Sequence, residues 1–172
     1  MESVKQDVLA ALQGLGIAYD LFEHAPVHTM EDCKAAEAAL GGVMPKNLFL
    51  TPRNHAAHYL LVARPEAPFR TALVSRQLGA SRLSFATAEE LMDMLRTLPG
   101  AISPMGLVFD REQKVRLAVD RTLRKEPRLL FHPCVNTATL AMSGRDFFET
   151  FLPALGREPV FVDMQGEEKH EI

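Results

Sequence analysis

The chain has 172 residues, 47% of them hydrophobic and 24% charged, with a formal net charge of −3. That length suits one domain with a single sizeable core, and no apolar run approaches the roughly 18 to 20 residues needed to span a bilayer. The negative charge excludes a protein that coats nucleic acid indiscriminately, a mode that depends on neutralising many phosphates; it leaves room for local contact with one RNA end.

Val4, Val8, Leu12 and Leu15 recur at helical spacing, and Gly14 and Gly16 stop that helix. Residues 18–23 read as a short strand. Thr29 precedes Glu31 and Asp32 as an N-cap, opening an Ala-rich helix that Gly41 and Gly42 close. The β-type runs 47–51 and 58–63 flank Pro52, Arg53, Asn54 and His55, the connector of a hairpin. A helix is expected over 69–78. Thr87 and Glu90 form a capping-box pattern for a helix over 88–98. A second hairpin is expected between 107–109 and 114–119, then strands over 129–132 and 137–142. Ser143 caps a last helix over 144–155, with Phe147, Phe148 and Phe151 facing the core. A final strand covers 160–164. The alternation of helix and strand patterns predicts one α/β or α+β domain, 1–164, followed by a charged tail, 165–172.

The N-terminus shows no basic region followed by an apolar stretch, so no signal peptide is expected. Cys33 and Cys134 lie far apart and suit a reducing compartment, making the cytoplasm the expected location. The chain carries no Gly-rich phosphate loop, GxSxG, HExxH or paired-Cys motif. His24 and His28 are separated by Pro26 and cannot share a helix face, and His55 and His58 sit in or beside a turn. For these four, a surface or loop role outweighs a metal role, and no metal site is expected. Absence of a helix-turn-helix pattern leaves DNA binding without support. A basic run holds Arg111, Lys114, Arg116, Arg121, Arg124, Lys125 and Arg128. It reads first as a solvated face and second as a patch that meets an RNA backbone.

Three segments could carry chemistry. Lys46 and Asn47 follow Pro45 and open an apolar strand, a position that gives polar side chains access to a cleft; a charged loop is the equal alternative. Pro99, Gly100, Ala101, Ile102, Ser103, Pro104, Met105 and Gly106 form a Pro/Gly-bracketed stretch. It could present backbone N–H groups to a carbonyl oxygen that becomes negative during hydrolysis, or serve as a rigid connector. His132 ends an apolar strand, and Pro133 holds it extended. Asn136, Thr137 and Thr139 add donors and acceptors nearby, so a structural histidine and a functional one remain even readings.

In this order the segments resemble the YbaK/prolyl-tRNA-synthetase-associated editing family, and within it the ProX-type Ala-tRNA(Pro) deacylases. The likeness runs over nearly the whole chain. It takes in the stretch from Tyr19 to His24 with Thr29, Lys46 to Leu50, Leu78 to Phe85, the GxxxP element from Gly100 to Pro104, Phe131 to Pro133, and Asn136 to Thr139. The resemblance implies a central mixed, curved sheet flanked by helices. It implies hydrolysis of the ester joining a wrong amino acid to the terminal adenosine of tRNA(Pro), without metal or other cofactor. By that likeness Lys46 holds the terminal adenosine or its phosphate and Asn47 orients the ester. The backbone from Gly100 to Pro104 binds the carbonyl, and His132 lines the aminoacyl pocket. Thr29, Asn136, Thr137 and the loop residues through Gly106 would also contact substrate, with Ala101 and Ser103 as small residues of a size sieve. Met105 stands where an aromatic residue is expected in many relatives, which bears on the preferred amino acid. The expected partners are aminoacyl-tRNA at its acceptor end and prolyl-tRNA synthetase. Deacylation of a Ser or Cys ester, or a non-catalytic module docking on tRNA or a synthetase, are the competing readings.

Overall fold

The computed structural model describes residues 2–29 and 31–166. The apolar spacing near the N-terminus becomes helix α1 (Glu2–Gly14), which buries Val8, Leu9 and Leu12. Strand β1 (Asp20–Glu23) follows. A single 3-10 turn (Glu31–Cys33) leads into α2 (Lys34–Leu40). At that entry the Thr29 hydroxyl accepts from the Asp32 N–H at 3.2 Å. β2 (Lys46–Pro52) and β3 (His58–Ala63) form the expected antiparallel hairpin.

Helix α3 (Thr71–Gln77) and the short β4 (Leu83–Phe85) precede α4 (Ala88–Leu95). The capping box is present: Thr87 accepts from the Glu90 N–H, and Glu90 accepts from the Thr87 N–H. α4 ends three residues before the expected boundary, because Arg96 turns left-handed at φ 52°. After β5 (Val115–Asp120), β6 (Arg128–Phe131) and β7 (Ala138–Ser143) pair antiparallel. Ser143 caps the next helix by accepting from Asp146 N at 2.9 Å. That helix runs through α5 (Gly144–Asp146), a π-helical stretch (Phe147–Phe151) and α6 (Leu152–Ala154), and β8 (Val160–Val162) closes the fold. Of its three phenylalanines, Phe147 and Phe151 are fully buried, whereas Phe148 packs half-buried against the core. From residue 167 the expected tail lies outside the described residues.

The fold is α+β, but its strands divide into two sheets where one central sheet was expected. Five strands make a mixed sheet in the order β4-β2-β3-β5-β8, and three make an antiparallel sheet in the order β1-β7-β6. One bridge links β6 to the segment entering β2: Val43 donates to the Arg128 carbonyl at 3.1 Å and accepts from Leu130 N at 2.9 Å. Gly42 makes that approach feasible, since a Cβ there would meet the Arg128 carbonyl oxygen at 2.7 Å and its φ is +117°.

The main core lies between the sheets and joins α1, α4 and the phenylalanines to Phe49, Leu60, Leu117, Leu129 and Leu140. A second cluster packs α3, through Val74, on the opposite face of the five-stranded sheet against Leu50, Leu61 and Ala118. A third, with Val27, Cys33 and Met44, covers Leu130 and Ala141 of the small sheet.

The second expected hairpin is not formed. Residues 104–109 are a 3-10 helix (Pro104–Phe109), and β5 pairs parallel with β3. Local chemistry explains the difference. Pro104 fits the first helical position, Ser103 Oγ accepts from Met105 N at 3.1 Å, and Gly106 lies against the Leu95 carbonyl. Among the described residues, no helix is long and apolar enough to cross a membrane.

Candidate active site

β2 begins at the seam between the two sheets. Strand alternation sends Lys46 to the face of Leu48 and Leu50 and Asn47 to the face of Phe49. At the strand's first residues both still border one cavity of about 200 Å³. Thr29, Gly100, Ile102 and His132 border it too, and Val27, Cys33 and Met44 supply apolar wall. Three segments far apart in sequence thus converge: the start of β2, the loop after α4 and the end of β6.

Lys46 Nζ donates to the carbonyl oxygen of Ala67, a residue outside the cavity lining. Asn47 Oδ1 is buried with no hydrogen-bond partner among the described residues. An unmet buried acceptor costs about 1–3 kcal/mol, so a ligand donor placed there would recover that cost.

His132 is 7% exposed, and its Nδ1 lies 2.9 Å from the Ala138 carbonyl oxygen. A carbonyl only accepts, so Nδ1 carries the proton and Nε2 keeps its lone pair. Thr139 Oγ1 stands 3.5 Å from that Nδ1 and 2.8 Å from His24 Nε2, while His24 Nδ1 lies 2.8 Å from the Ala25 carbonyl. One chain of donors satisfies all four: His24 Nδ1–H to Ala25, Thr139 O–H to His24 Nε2, and His132 Nδ1–H to Ala138 and Thr139. Burial pulls the His132 pKa below the ordinary 6.5; the Ala138 bond opposes this, and charge on His24 reinforces it. Neither cysteine offers a thiolate. Burial pushes Cys134 up to about 12, and burial with the neighbouring Glu37 and Asp32 raises Cys33.

A family model described as an aminoacyl-tRNA editing domain matches residues 24–150. The chain is 34% identical over 142 residues to the prolyl-tRNA editing protein ProX of Acetoanaerobium sticklandii, covering 83% of this chain and 87% of that protein. It is 30% identical over 161 residues to the prolyl-tRNA synthetase associated domain-containing protein 1 of Danio rerio, covering 92% and 86%. The chain belongs to the aminoacyl-tRNA editing domain family. A crystal structure of a candidate trans-editing enzyme for prolyl tRNA synthetase has the same fold, with a TM-score of 0.71 at 18% identity over 93% of this chain and 96% of that one.

Within this editing domain the other expected contact residues separate into two groups. Ala101, Asn136 and Thr137 border a second cleft of about 330 Å³, which shares Gly100 and His28 with the first cavity. Asn136 ties the two sides together, donating from Nδ2 to the Val27 carbonyl at 3.1 Å. Ser103, Pro104, Met105 and Gly106 are buried beneath the loop and border neither space. Met105, the expected pocket wall, is a fully buried member of the main core. These residues support the loop rather than face the cavity. Gly106 makes the point testable: a Cβ there would lie 2.6 Å from the Leu95 carbonyl oxygen, whereas one on Gly100 would meet nothing closer than 3.8 Å. Gly106→Ala is therefore expected to lower unfolding free energy by about 1–3 kcal/mol, and Gly100→Ala to leave it nearly unchanged. Equal urea midpoints for the two variants would refute this division.

Sequence reasoning assigned His24 to a loop or surface role and missed its link to His132 through Thr139. The signal available was its place in the stretch from Tyr19 to His24 that carries the family likeness. The basic run is largely committed to partners within the chain. Lys114 pairs with Glu112 at 3.1 Å, Arg121 with Asp163 at 3.3 Å and Arg128 with Asp20 at 2.6 Å. Arg124 and Arg116 lie over the Phe161 and Tyr59 rings. That favours the solvated-face reading.

Proposed function

We propose that the protein is a trans-editing deacylase that hydrolyses the ester of Ala-tRNA(Pro), with residues 1–164 as the editing unit. One observation carries the reading: Lys46, Asn47 and His132, from distant parts of the sequence, border one small cavity together with Gly100 and Ile102. The 34% identity to a prolyl-tRNA editing protein supports the tRNA(Pro) assignment and an encounter with the acceptor end beside prolyl-tRNA synthetase.

A cavity of about 200 Å³ suits an aminoacyl group and leaves the nucleotide outside it. In this reading Lys46 leaves Ala67 to hold an anionic phosphate oxygen or a ribose hydroxyl of the terminal adenosine. Asn47 Oδ1 accepts from the substrate's α-ammonium or ribose hydroxyl and orients the ester. Water adds to the ester carbonyl carbon. The resulting oxyanion faces the loop after α4, and collapse breaks the bond to the ribose oxygen, which takes up a proton. Several donors of that loop are already engaged: Ala101 N by Leu98, Met105 N by the Ser103 hydroxyl, and Gly106 N by the Ser103 carbonyl. Gly100 and Ile102, which border the cavity, are the candidate donors to the oxyanion. His132 presents a neutral imidazole to the aminoacyl group, and the adjoining cleft with Asn136 and Thr137 is the room for the terminal nucleoside.

Editing by a second site is needed because a proline pocket cannot strongly exclude alanine; small apolar differences provide only about 1–3 kcal/mol. Substrate identity is tested with tRNA(Pro) charged with Ala, Ser or Cys. Fastest loss of Ala supports the assignment, and faster loss of Ser or Cys replaces it with that amino acid. Saturable tRNA binding with no ester cleavage would make the protein a binding module. A pH profile tests the role of His132. Its pKa lies below 6.5, so a step that needs the neutral ring keeps its rate down through pH 6.5 and loses it only as pH falls through the depressed value. An acid limb centred above pH 6.5 that disappears in His132→Gln would contradict that role.

A further inference from the structure

At the opposite end of the β2–β3 hairpin from Lys46, three side chains converge on one point. Lys46 pairs with Ala63 and Leu50 with Tyr59, so the turn lies roughly 13 Å along the hairpin from the cavity end. Among the described residues, His55, His58 and Glu90 bring one ligand atom each to within 4.8 Å of the others. Glu90 Oε1 is 2.6 Å from His55 Nδ1 and 3.0 Å from His58 Nε2.

We propose that His55, His58 and Glu90 form a binding site for a divalent transition-metal ion, with Zn²⁺ the best match to two imidazoles and a carboxylate. Each ligand is aimed by its own support. Glu90 is the third residue of α4, and its Oε2 accepts from the Thr87 N–H at 2.7 Å, which turns Oε1 toward the hairpin. The His58 ring is buried and stacked on Phe49 at 5.6 Å between centroids. That corrects the surface role expected for His58. His55 stands in the left-handed region at φ 54° in the hairpin turn, and its Nδ1 faces the same oxygen.

Tetrahedral zinc with bonds of about 2.0–2.2 Å sets neighbouring ligand atoms about 3.3 Å apart. From 2.6 Å and 3.0 Å the two contacts to Glu90 Oε1 must open by roughly 0.7 Å and 0.3 Å, and the half-exposed His55 side chain can move to allow it. Two imidazoles and one carboxylate supply the nitrogen and oxygen donors that Zn²⁺ takes. To ligate, each neutral ring must present a lone pair at the nitrogen now facing Glu90, so its single proton moves to the ring's other nitrogen. Three protein ligands leave a fourth position for water. The ion staples the β2–β3 hairpin to α4, the elements that lead to Lys46 and to the loop after α4 respectively.

The test uses the full chain, stripped with a chelator, and Zn²⁺ alone as the titrant in calorimetry at neutral pH. One equivalent of Zn²⁺ is expected to bind and to raise Tm. Glu90→Gln and His55→Ala are each expected to weaken binding at least roughly tenfold. Because His55 is exposed and Gln can still accept from Thr87, both variants are expected to fold, as circular dichroism would verify. Absence of binding heat overturns the site, as does equal zinc affinity in the wild type and both folded variants. Neither readout depends on tRNA hydrolysis.

Discussion

Lys46→Ala is expected to lower kcat/KM for Ala-tRNA(Pro) hydrolysis roughly 30- to 150-fold, the loss of about 2–3 kcal/mol for a hydrogen bond to a charged group. Lys46 is half-buried, and in the free protein its ammonium is held on the Ala67 carbonyl, the bond it gives up for substrate in the proposed reading. In the free protein the variant loses only that one hydrogen bond. Its stability cost should stay near 1 kcal/mol. Single-turnover hydrolysis and urea unfolding on the same preparation separate the two effects. Full activity in a folded Lys46→Ala protein would remove Lys46 from the site.

Asp110→Ala should be the more damaging change to the fold, at about 3–5 kcal/mol. Asp110 and Arg157 are 6% and 7% exposed, and their carboxylate–guanidinium contact is 2.7 Å. The same carboxylate accepts from Lys114 N at 3.0 Å and Val115 N at 2.8 Å, which ends the 3-10 segment behind the site loop and starts β5. Removing it leaves a buried guanidinium whose Nε already lacks a partner among the described residues. The double variant Asp110→Ala with Arg157→Met removes that stranded charge and should recover much of the loss. A urea series in which Asp110→Ala costs under about 1 kcal/mol, or the double variant is no better than the single, would contradict this account.

Much of the fold was legible because its signals are local. The capping box of Thr87 and Glu90, the helical spacing from Val4 to Leu12 and the hairpin turn after Pro52 each rest on chemistry within a few residues. The run Leu107, Val108, Phe109 failed for the opposite reason. Three apolar residues fit strand or helix equally, and the choice was made by Gly106 packing on Leu95 and by Asp110 capping the next strand. The division into two sheets was invisible for the same reason, since it depends on Val43 meeting Arg128 and Leu130.

At the site, Lys46, Asn47, Gly100 and His132 were legible as segments that structure alone did not require, and they border one cavity. What sequence could not give is side-chain direction within the loop: Ile102 faces the cavity while Ser103 and Met105 turn into the protein. Nor could it give the hydrogen-bonded chain from His24 through Thr139 to His132, whose ends lie on β1's exit and β6's end. The role of Glu90 is similar, because a helix cap also turned out to be the meeting point of two hairpin histidines.

The most direct measurement is hydrolysis of Ala-tRNA(Pro) by the purified protein beside Pro-tRNA(Pro) under identical conditions. Rapid release of alanine with the prolyl ester preserved is the predicted result. Loss of neither ester above the buffer rate, or equal loss of both, would contradict an editing site that sorts by amino acid.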